Sequence, residues 1–214
     1  MGDSNFYDSY WRNEIEGGVL NQPPQWSAGN IRWHLDFFRP YCSGTVVDLG
    51  AGNGFFANVI GKECKDIKEL TAIELSAVAI EQGAKLFPDV RFKQGSSDAI
   101  PMPDQCVDML FAIEVVEHLL DVDQCFSEIA RVLKPGGYFG VTTTDFNWPK
   151  QVLIAAFCWN KYFYPNNPHI RFFTRKTLAQ CLARHGLSCV RYQWNRSYYG
   201  VMPKGQMAVF QKGV

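Results

Sequence analysis

A run of glycines follows directly on a short apolar segment, in the stretch Val46-Val47-Asp48-Leu49-Gly50-Ala51-Gly52-Asn53-Gly54. Glycine permits left-handed backbone angles and lets a ligand approach the main chain closely. The carboxylate of Asp48 suits a ligand with a positively charged amino group better than it suits a pyrophosphate. Glu74 stands twenty residues beyond Gly54, after a second apolar run, where a carboxylate can accept hydrogen bonds from ribose hydroxyls. These residues predict a site for a ribose-bearing cofactor that carries an amino group.

The glycine turn has two other interpretations. It could serve only to pack a helix on a strand, although the placement of Glu74 argues against this. It could also bind a dinucleotide, as in a nucleotide-dependent oxidoreductase, whose fingerprint is Gly-x-Gly-x-x-Gly. Here the third glycine, Gly54, comes one residue early. A comparison of NAD(H) with other ribose-bearing ligands would distinguish the two classes.

Short apolar runs alternate with segments of helical period from about residue 45, which is typical of βαβ units around a parallel sheet. The predicted strands lie at about 45–50, 70–75, 90–94, 107–113, 138–143, 188–193 and 206–211. The last two have no helix between them and predict an antiparallel hairpin. The sequence therefore predicts an α/β fold: a Rossmann-like, doubly wound, mostly parallel seven-stranded sheet with an antiparallel last strand and helices on both faces.

The chain is predicted to form one domain with two aromatic additions. Residues 1–44 would be an N-terminal arm, turn-rich around FYDSYW, followed by a helix from Ser27 to Phe38; residues 45–144 would be the cofactor-binding core. Residues 145–173 would be an irregular aromatic insertion, and residues 174–214 a C-terminal helix and hairpin. Long insertions are often lids or binding elements, so we expect the arm and the insertion to enclose an acceptor. The apolar stretch 152–159 could instead form a homodimer contact or touch a membrane surface.

Composition excludes several functions. Lys plus Arg and Asp plus Glu both total 21, so the formal net charge is zero, which argues against a nucleic-acid partner. Seven cysteines without a Cys-x-x-Cys pair predict reduced thiols and no metal site. The N-terminus does not resemble a signal peptide, and the longest apolar stretch is too short for a transmembrane segment. We therefore expect a cytoplasmic protein.

Five motifs in order resemble the class I S-adenosylmethionine-dependent methyltransferases, and most closely the small-molecule branch that includes ubiquinone-pathway O-methyltransferases. They are VVDLGAGNG at 46–54, Glu74, Ser97-Asp98-Ala99 with 101–104, Glu114 to Leu119, and Ile129 to Gly137. The resemblance implies S-adenosyl-L-methionine as the cofactor and a methyltransferase as the activity. It is strongest over residues 45–145.

The resemblance also implies a role for each matching residue. Gly50, Ala51 and Gly52 would lie under the methionine part of the cofactor, and Asp48 would orient its amino group. Glu74 would hold the ribose, Leu75 would pack on the adenine, and Ser97, Asp98 and Ala99 would bind the adenine edge. The residues Ile113, Glu114 and Val115 would line the side nearest the sulfonium.

The acceptor is expected to be a small molecule methylated at a hydroxyl oxygen, with N- or C-methylation and a non-catalytic binding module as alternatives. A general base is needed only if the acceptor must lose a proton. His169, which ends the aromatic insertion, is the preferred candidate, and His118, just past the fourth strand, is the alternative. Glu117 is interpreted as a solvated or helix-facing charge and not as a residue of the site.

Overall fold

The computed structural model describes residues 4–16, 28–164, 169–198 and 202–214. The predicted helix start at Ser27 lies outside them. The strands are β1 (Gly44–Leu49), β2 (Ile67–Glu74), β3 (Arg91–Gln94), β4 (Val107–Ile113), β5 (Leu133–Thr144), β6 (Leu187–Tyr198) and β7 (Met202–Lys212). The helices are α1 (Ser4–Glu16), α2 (Ala28–Phe38), α3 (Phe55–Glu63), α4 (Ala77–Leu86), α5 (Val122–Val132), α6 (Trp148–Leu153), α7 (Trp159–Tyr162) and α8 (Arg175–Ala183).

The seven strands form one sheet in the order β3-β2-β1-β4-β5-β7-β6. Neighbouring strands are parallel except for β7, which is antiparallel to both β5 and β6. The predicted fold class is confirmed. Because β1 lies between β2 and β4, the chain reverses its direction of winding beside β1. Open α/β sheets bind ligands at the carboxyl end of the strands at such a switch point.

Side-chain caps begin the helices that leave this edge. Ser76 accepts a hydrogen bond from Ala79 N at the start of α4, and Asp121 accepts one from Gln124 N at the start of α5. Thr174 forms a reciprocal capping box with Thr177 at the start of α8. Each cap contributes about 1 kcal/mol and fixes the residue at which the loop ends. Serine, aspartate and threonine are the residue types that favour such positions, and Asp121 rather than Asp123 starts α5.

Apolar side chains cover both faces of the sheet. On one face Phe126 and Ile129 of α5 are fully buried against Phe139, and α8 packs on the same cluster. On the other face α2 and α3 enclose Phe38 and Phe111, whose ring centroids are 5.3 Å apart. Burying an aromatic or branched side chain contributes about 1.5–3 kcal/mol relative to its exposure. The two layers therefore hold the strand ends in a fixed register.

Two expectations about the additions are wrong. The arm is not turn-rich, because Ser4–Glu16 forms helix α1. The insertion is not irregular either: α6 runs through a π-helical segment, Ile154–Cys158, into α7. Asn147 caps α6 by accepting from Lys150 N, and Pro149 stands in its first turn. This pairing of a capping residue with a proline is a helix-start signal present in the sequence.

No helix within the described ranges is both long enough and apolar enough to cross a membrane.

Candidate active site

The glycine turn after β1 adopts a conformation that side chains would obstruct. Gly50 and Gly52 have φ angles of 69° and 55°. A Cβ atom at Gly50 would lie 2.7 Å from Val115 Cγ2, and one at Gly52 would lie 2.7 Å from Trp11 Cζ2. Both positions therefore require glycine, for backbone angle and for space. The amides of Gly50 and Ala51 donate to Ile73 O at 2.8 and 3.0 Å, which fixes the turn against β2.

The third glycine has a different role. Gly54 has a φ of 77° and precedes the first residue of α3. A side chain at Gly54 would overlap the ring of Phe92, which belongs to β3. Gly54 therefore serves to pack α3 against the sheet, which was one interpretation of the glycine turn. Gly50 and Gly52 instead lie beside residues of the binding edge.

Glu74 joins the end of β2 to the glycine turn. Its Oε2 accepts from Gly52 N at 2.9 Å, and its Oε1 accepts from Ser76 N at 2.9 Å. Burial is the main cause of the raised pKa of this carboxyl group. Each oxygen accepts one backbone N–H, and a carboxylate oxygen can accept more than one hydrogen bond. Glu74 can therefore hold the turn and two ribose hydroxyls together.

Asp48 lies under the turn with one oxygen unsatisfied. The side chain is 2 % exposed, and Oδ2 has no hydrogen-bond partner among the residues that the structure describes. Burial, and secondarily the charge of Glu74, raises the pKa of Asp48 to about 7. An unpaired buried polar atom is destabilising. A positively charged amino group bound on the turn would supply the missing donor, so the site fits the amino-acid end of S-adenosylmethionine.

Replacing Glu74 by alanine is expected to weaken the binding of S-adenosylhomocysteine by roughly 10- to 150-fold, the equivalent of losing about 1.5–3 kcal/mol of hydrogen bonds to a charged group. Isothermal titration calorimetry measures the change. Glu69→Ala is the matched control, because Glu69 belongs to the same strand but pairs with Arg91 on the exposed surface. Equal affinities for the two variants would contradict the role of Glu74.

The residues predicted to bind adenine follow β3, the strand next to β2. Glu74 pairs in register with Gln94, whose side chain donates to Leu75 O at 3.0 Å. In the loop beyond, Asp98 O accepts from Gln124 Nε2 of α5 at 3.2 Å, and a hydrogen bond from Ser96 lowers the pKa of the Asp98 carboxyl. The loop residues Ser97 and Ala99 flank Asp98, and Ala99 is exposed. These contacts place the loop at the same sheet edge as Glu74.

The segment after β4 carries unusual backbone geometry. Glu114 has a φ of 55°, which is a strained value for a residue with a side chain. Its amide donates to both Thr142 O and Thr142 Oγ1, at 3.1 and 3.0 Å. Such strain costs on the order of 1–3 kcal/mol and is concentrated at functional sites. Next to it, Ile113 ends the strand and Val115 contacts Gly50, so this segment borders the turn.

The interpretation of Glu117 as a solvated charge is wrong. Its side chain is fully buried in the 3₁₀ turn Val116–His118, and neither carboxyl oxygen has a hydrogen-bond partner within the described part of the chain. The amides of Ile170 and Arg171 donate to Glu117 O at 2.9 and 3.0 Å. The main-chain carbonyl of Glu117 is thus held by a segment about fifty residues away, and local sequence does not reveal this contact. The sequence signal available was the spacing Glu-x-x-Glu-His from Glu114.

The two candidate histidines lie side by side. The ring centroids of His118 and His169 are 4.8 Å apart, with the rings inclined at 69°. Burial, followed by the nearby His118, lowers the pKa of His169, which favours a neutral imidazole. Glu114 lies three residues before Glu117, and burial, followed by the charge of Glu117, raises the pKa of Glu114 to about 8. The structure therefore brings both predicted catalytic residues to one polar cluster after β4.

Helix α1 covers the cofactor side of this edge. Asp8 accepts from Ser76 Oγ at 2.5 Å and from Val78 N at 3.4 Å, so the arm is hydrogen-bonded to the start of α4. Burial, and then the charge of Glu74, raises the pKa of Tyr7. Trp11 lies on Gly52. The sequence predicts an arm that encloses the acceptor, whereas Asp8 and Trp11 contact the start of α4 and the glycine turn.

The insertion contributes a packed aromatic cluster and an exposed one. Phe172 lies 4.8 Å from Phe146 and 5.3 Å from Phe163, centroid to centroid, next in sequence to the segment that carries His169. By contrast, Trp148 and Phe157 are 74 % and 80 % exposed. Only part of the aromatic insertion is therefore available to form a wall near the site.

Comparison with known proteins agrees with this geometry. Residues 47–141 match the family described as a methyltransferase domain. The uncharacterized methyltransferase YcgJ of Bacillus subtilis is 35 % identical over 160 residues, which cover 70 % of this chain and 60 % of that protein. A dimethylglycine N-methyltransferase of Parasynechococcus marenigrum is 30 % identical over 149 residues, covering 64 % and 52 %. The chain spans about half the length of the curated relatives it matches.

A solved structure shows the same fold over nearly the whole chain. It is a Haloferax volcanii methyltransferase in complex with the Trm112 methyltransferase activator, with a TM-score of 0.71 at 17 % identity, covering 97 % of this chain and 98 % of that one. The fold and the matched family define a methyltransferase domain of class I architecture over residues 47–141. A relative named as a probable S-adenosylmethionine-dependent methyltransferase is 34 % identical over 105 residues, so S-adenosylmethionine is the cofactor implied for this domain.

Proposed function

We propose that this chain transfers the methyl group of S-adenosylmethionine to a hydroxyl oxygen of a small-molecule acceptor. The observation that carries the proposal is the polar cluster after β4, where Glu117, His118 and His169 meet beside a segment whose Val115 contacts the glycine turn. An amine acceptor can react as its neutral form, whereas a hydroxyl must lose a proton. Groups that can handle that proton lie beside the expected methyl position.

Cofactor binding is assigned to the residues of the strand ends. Gly50, Ala51 and Gly52 would lie under the methionine part of the cofactor. The unpaired oxygen of Asp48 would accept a hydrogen bond from its amino group. Glu74 would accept from the ribose hydroxyls. Leu75 would pack on the adenine, and the loop residues Ser97, Asp98 and Ala99 would bind its edge. The remaining wall would be Ile113, Glu114 and Val115.

The bound cofactor supplies an activated methyl group, and transfer forms an oxygen–carbon bond as the carbon–sulfur bond breaks, with the electron pair returning to sulfur and the hydroxyl proton leaving. The chain mainly supplies position, holding the reacting atoms about 3–3.5 Å apart. His169 is proposed to act on the acceptor hydroxyl, with His118 as the alternative. The low pKa of His169 leaves its imidazole neutral and able to accept a proton at neutral pH.

The acceptor class is proposed from charge and apolar surface. A formal net charge of zero provides no general attraction for a polyanion, so a small molecule is favoured over nucleic acid. Phe146, Phe163 and Phe172 pack together beside the His169 segment, which favours an aromatic or apolar acceptor. Methylation at nitrogen is the second candidate, because one relative is named as a dimethylglycine N-methyltransferase.

The test is in two parts. Calorimetry should show binding of S-adenosylhomocysteine and none of comparable strength for NADH. Incubation with methyl-labelled S-adenosylmethionine and matched pairs of phenols and anilines should then label the phenols. Tighter binding of NADH would support an oxidoreductase, and labelling of the anilines alone would move the reaction to nitrogen. Binding of cofactor without transfer to any acceptor would support a binding module.

A further inference from the structure

A carboxylate and two imidazoles converge after β4. One carboxylate oxygen of Glu117 and one ring nitrogen each of His118 and His169 all lie within 4.8 Å of one another. These three groups are a donor set that first-row divalent cations prefer in proteins. Metal–nitrogen and metal–oxygen distances near 2.1 Å place tetrahedral ligand atoms about 3.4 Å apart. Side-chain rotations that move the three ligand atoms by about an ångström would bring them to that separation around an ion.

The backbone holds the three residues in this arrangement. Ile170 N and Arg171 N both donate to Glu117 O, and Arg171 Nε donates to Leu119 O at 3.2 Å. The Arg171 guanidinium also donates to Leu120 O. These hydrogen bonds fasten the residues that follow His169 to the turn that contains Glu117 and His118. The convergence is therefore built into the fold and does not depend on a single side-chain contact.

The charge balance of the cluster calls for a cation. Glu117 is fully buried, and neither of its carboxyl oxygens has a hydrogen-bond partner in the described ranges. The ammonium group of Lys150 is committed elsewhere, donating to Asp145 O at 2.9 Å and Lys204 O at 3.2 Å. A buried carboxylate without a partner is strongly unfavourable, and a bound dication would offset this cost.

We propose that Glu117, His118 and His169 bind a divalent transition-metal cation that receives the acceptor hydroxyl at an open coordination position. The inference rests on the proposed oxygen methylation. A hydroxyl that coordinates such an ion loses its proton far more readily, as zinc-bound water does with a pKa near 7. The proton then passes to water, and His169 serves as a ligand instead of as a base. This departs from the sequence-based expectation of no metal site.

The cation site is tested by direct binding. Protein freed of metal with a chelator is dialysed against Zn²⁺, and bound metal is measured by elemental analysis; Mn²⁺ binding is followed by electron paramagnetic resonance. We expect one ion per chain. Glu117→Gln and His169→Ala should each weaken metal binding by on the order of 100-fold or more, because the loss of an outer-shell partner alone costs up to about 100-fold. Circular dichroism checks that each variant folds.

His185→Ala is the matched control, because His185 also faces a carboxylate, Asp123, at 3.0 Å, but on the outer surface. It should leave metal binding unchanged. Wild-type protein that takes up no more Zn²⁺ or Mn²⁺ than Glu117→Gln would overturn the cation site. Calorimetry with S-adenosylhomocysteine on the same samples separates the two proposals: intact cofactor binding and phenol methylation without metal would leave the proposed function standing, and metal binding without methyl transfer would reject the function alone.

Discussion

Gly52→Val is expected to abolish detectable binding of S-adenosylhomocysteine. The first added atom would lie 2.7 Å from Trp11 Cζ2, and the two further methyl groups would fill the space over the turn where the methionine part is expected. A left-handed φ of 55° adds roughly 1–2 kcal/mol of backbone strain for a branched residue. Calorimetry at millimolar ligand measures the loss, and circular dichroism checks that the sheet persists.

The control for that strain is Gly186→Val. Gly186 also has a positive φ, 74°, but a Cβ atom there would meet nothing within 4 Å, and the residue lies beyond α8. This variant should be destabilised to a similar degree and should bind S-adenosylhomocysteine as the wild type does. Trp11→Ala shows how much of the loss comes from displacing α1. Equal affinity for the wild type and Gly52→Val would reject the glycine turn as the cofactor site.

His169→Ala should lower the rate of methyl transfer by about 10²- to 10⁴-fold, the range for loss of a group that handles a proton in the rate-limiting step. Affinity for S-adenosylhomocysteine should stay within a few-fold of the wild type, because the hydrogen bonds that hold Glu74 and the turn involve Gly52 and Ser76. A coupled assay for S-adenosylhomocysteine release measures turnover. His185→Ala, on the outer surface, is the control.

The companion variants identify how the proton is removed. Loss of turnover in both His169→Ala and Glu117→Gln supports the cation, since Glu117 is a ligand in that arrangement. Loss in His169→Ala with near-normal turnover in Glu117→Gln supports an imidazole base. Full turnover in His169→Ala with reduced turnover in His118→Ala would assign removal of the acceptor proton to His118, just after β4. Full turnover in all three would mean transfer by positioning alone.

Local patterns were sufficient to predict the sheet and to place the glycine turn and two carboxylates at one edge of it. Asp48 is the next-to-last residue of β1 and Glu74 the last residue of β2. Their proximity follows from the strand pattern because parallel strands place their carboxyl ends at one edge. Capping by Ser76 and Thr174 depends on hydrogen bonds to residues three positions away, so it too is legible in sequence. The glycine turn belongs to the same class, because its requirement for glycine is a property of its own backbone angles.

Contacts between segments that are distant in the chain could not be predicted from local sequence. α1 has no strong apolar stripe to mark it as a helix, and its attachment depends on Asp8 meeting Ser76, sixty-eight residues away. Local sequence therefore predicts turns in the arm. In the insertion, the helix-start signal at Asn147 does not by itself predict how far α6 and α7 extend. In both cases packing against the core, rather than propensity, settles the local structure.

By itself, the sequence determined that this protein has a doubly wound sheet with a glycine turn and two carboxylates at its binding edge, since those features depend on strand periodicity and on backbone angles within a few residues. Only the tertiary structure decided what lies across the edge from them. The amides of Ile170 and Arg171 bind the main-chain carbonyl of Glu117, which brings His169 beside His118, and the Glu117 side chain is fully buried. A charged residue looks solvated in sequence until segments distant in the chain remove its water, because burial is a property of the folded chain and not of the residue type.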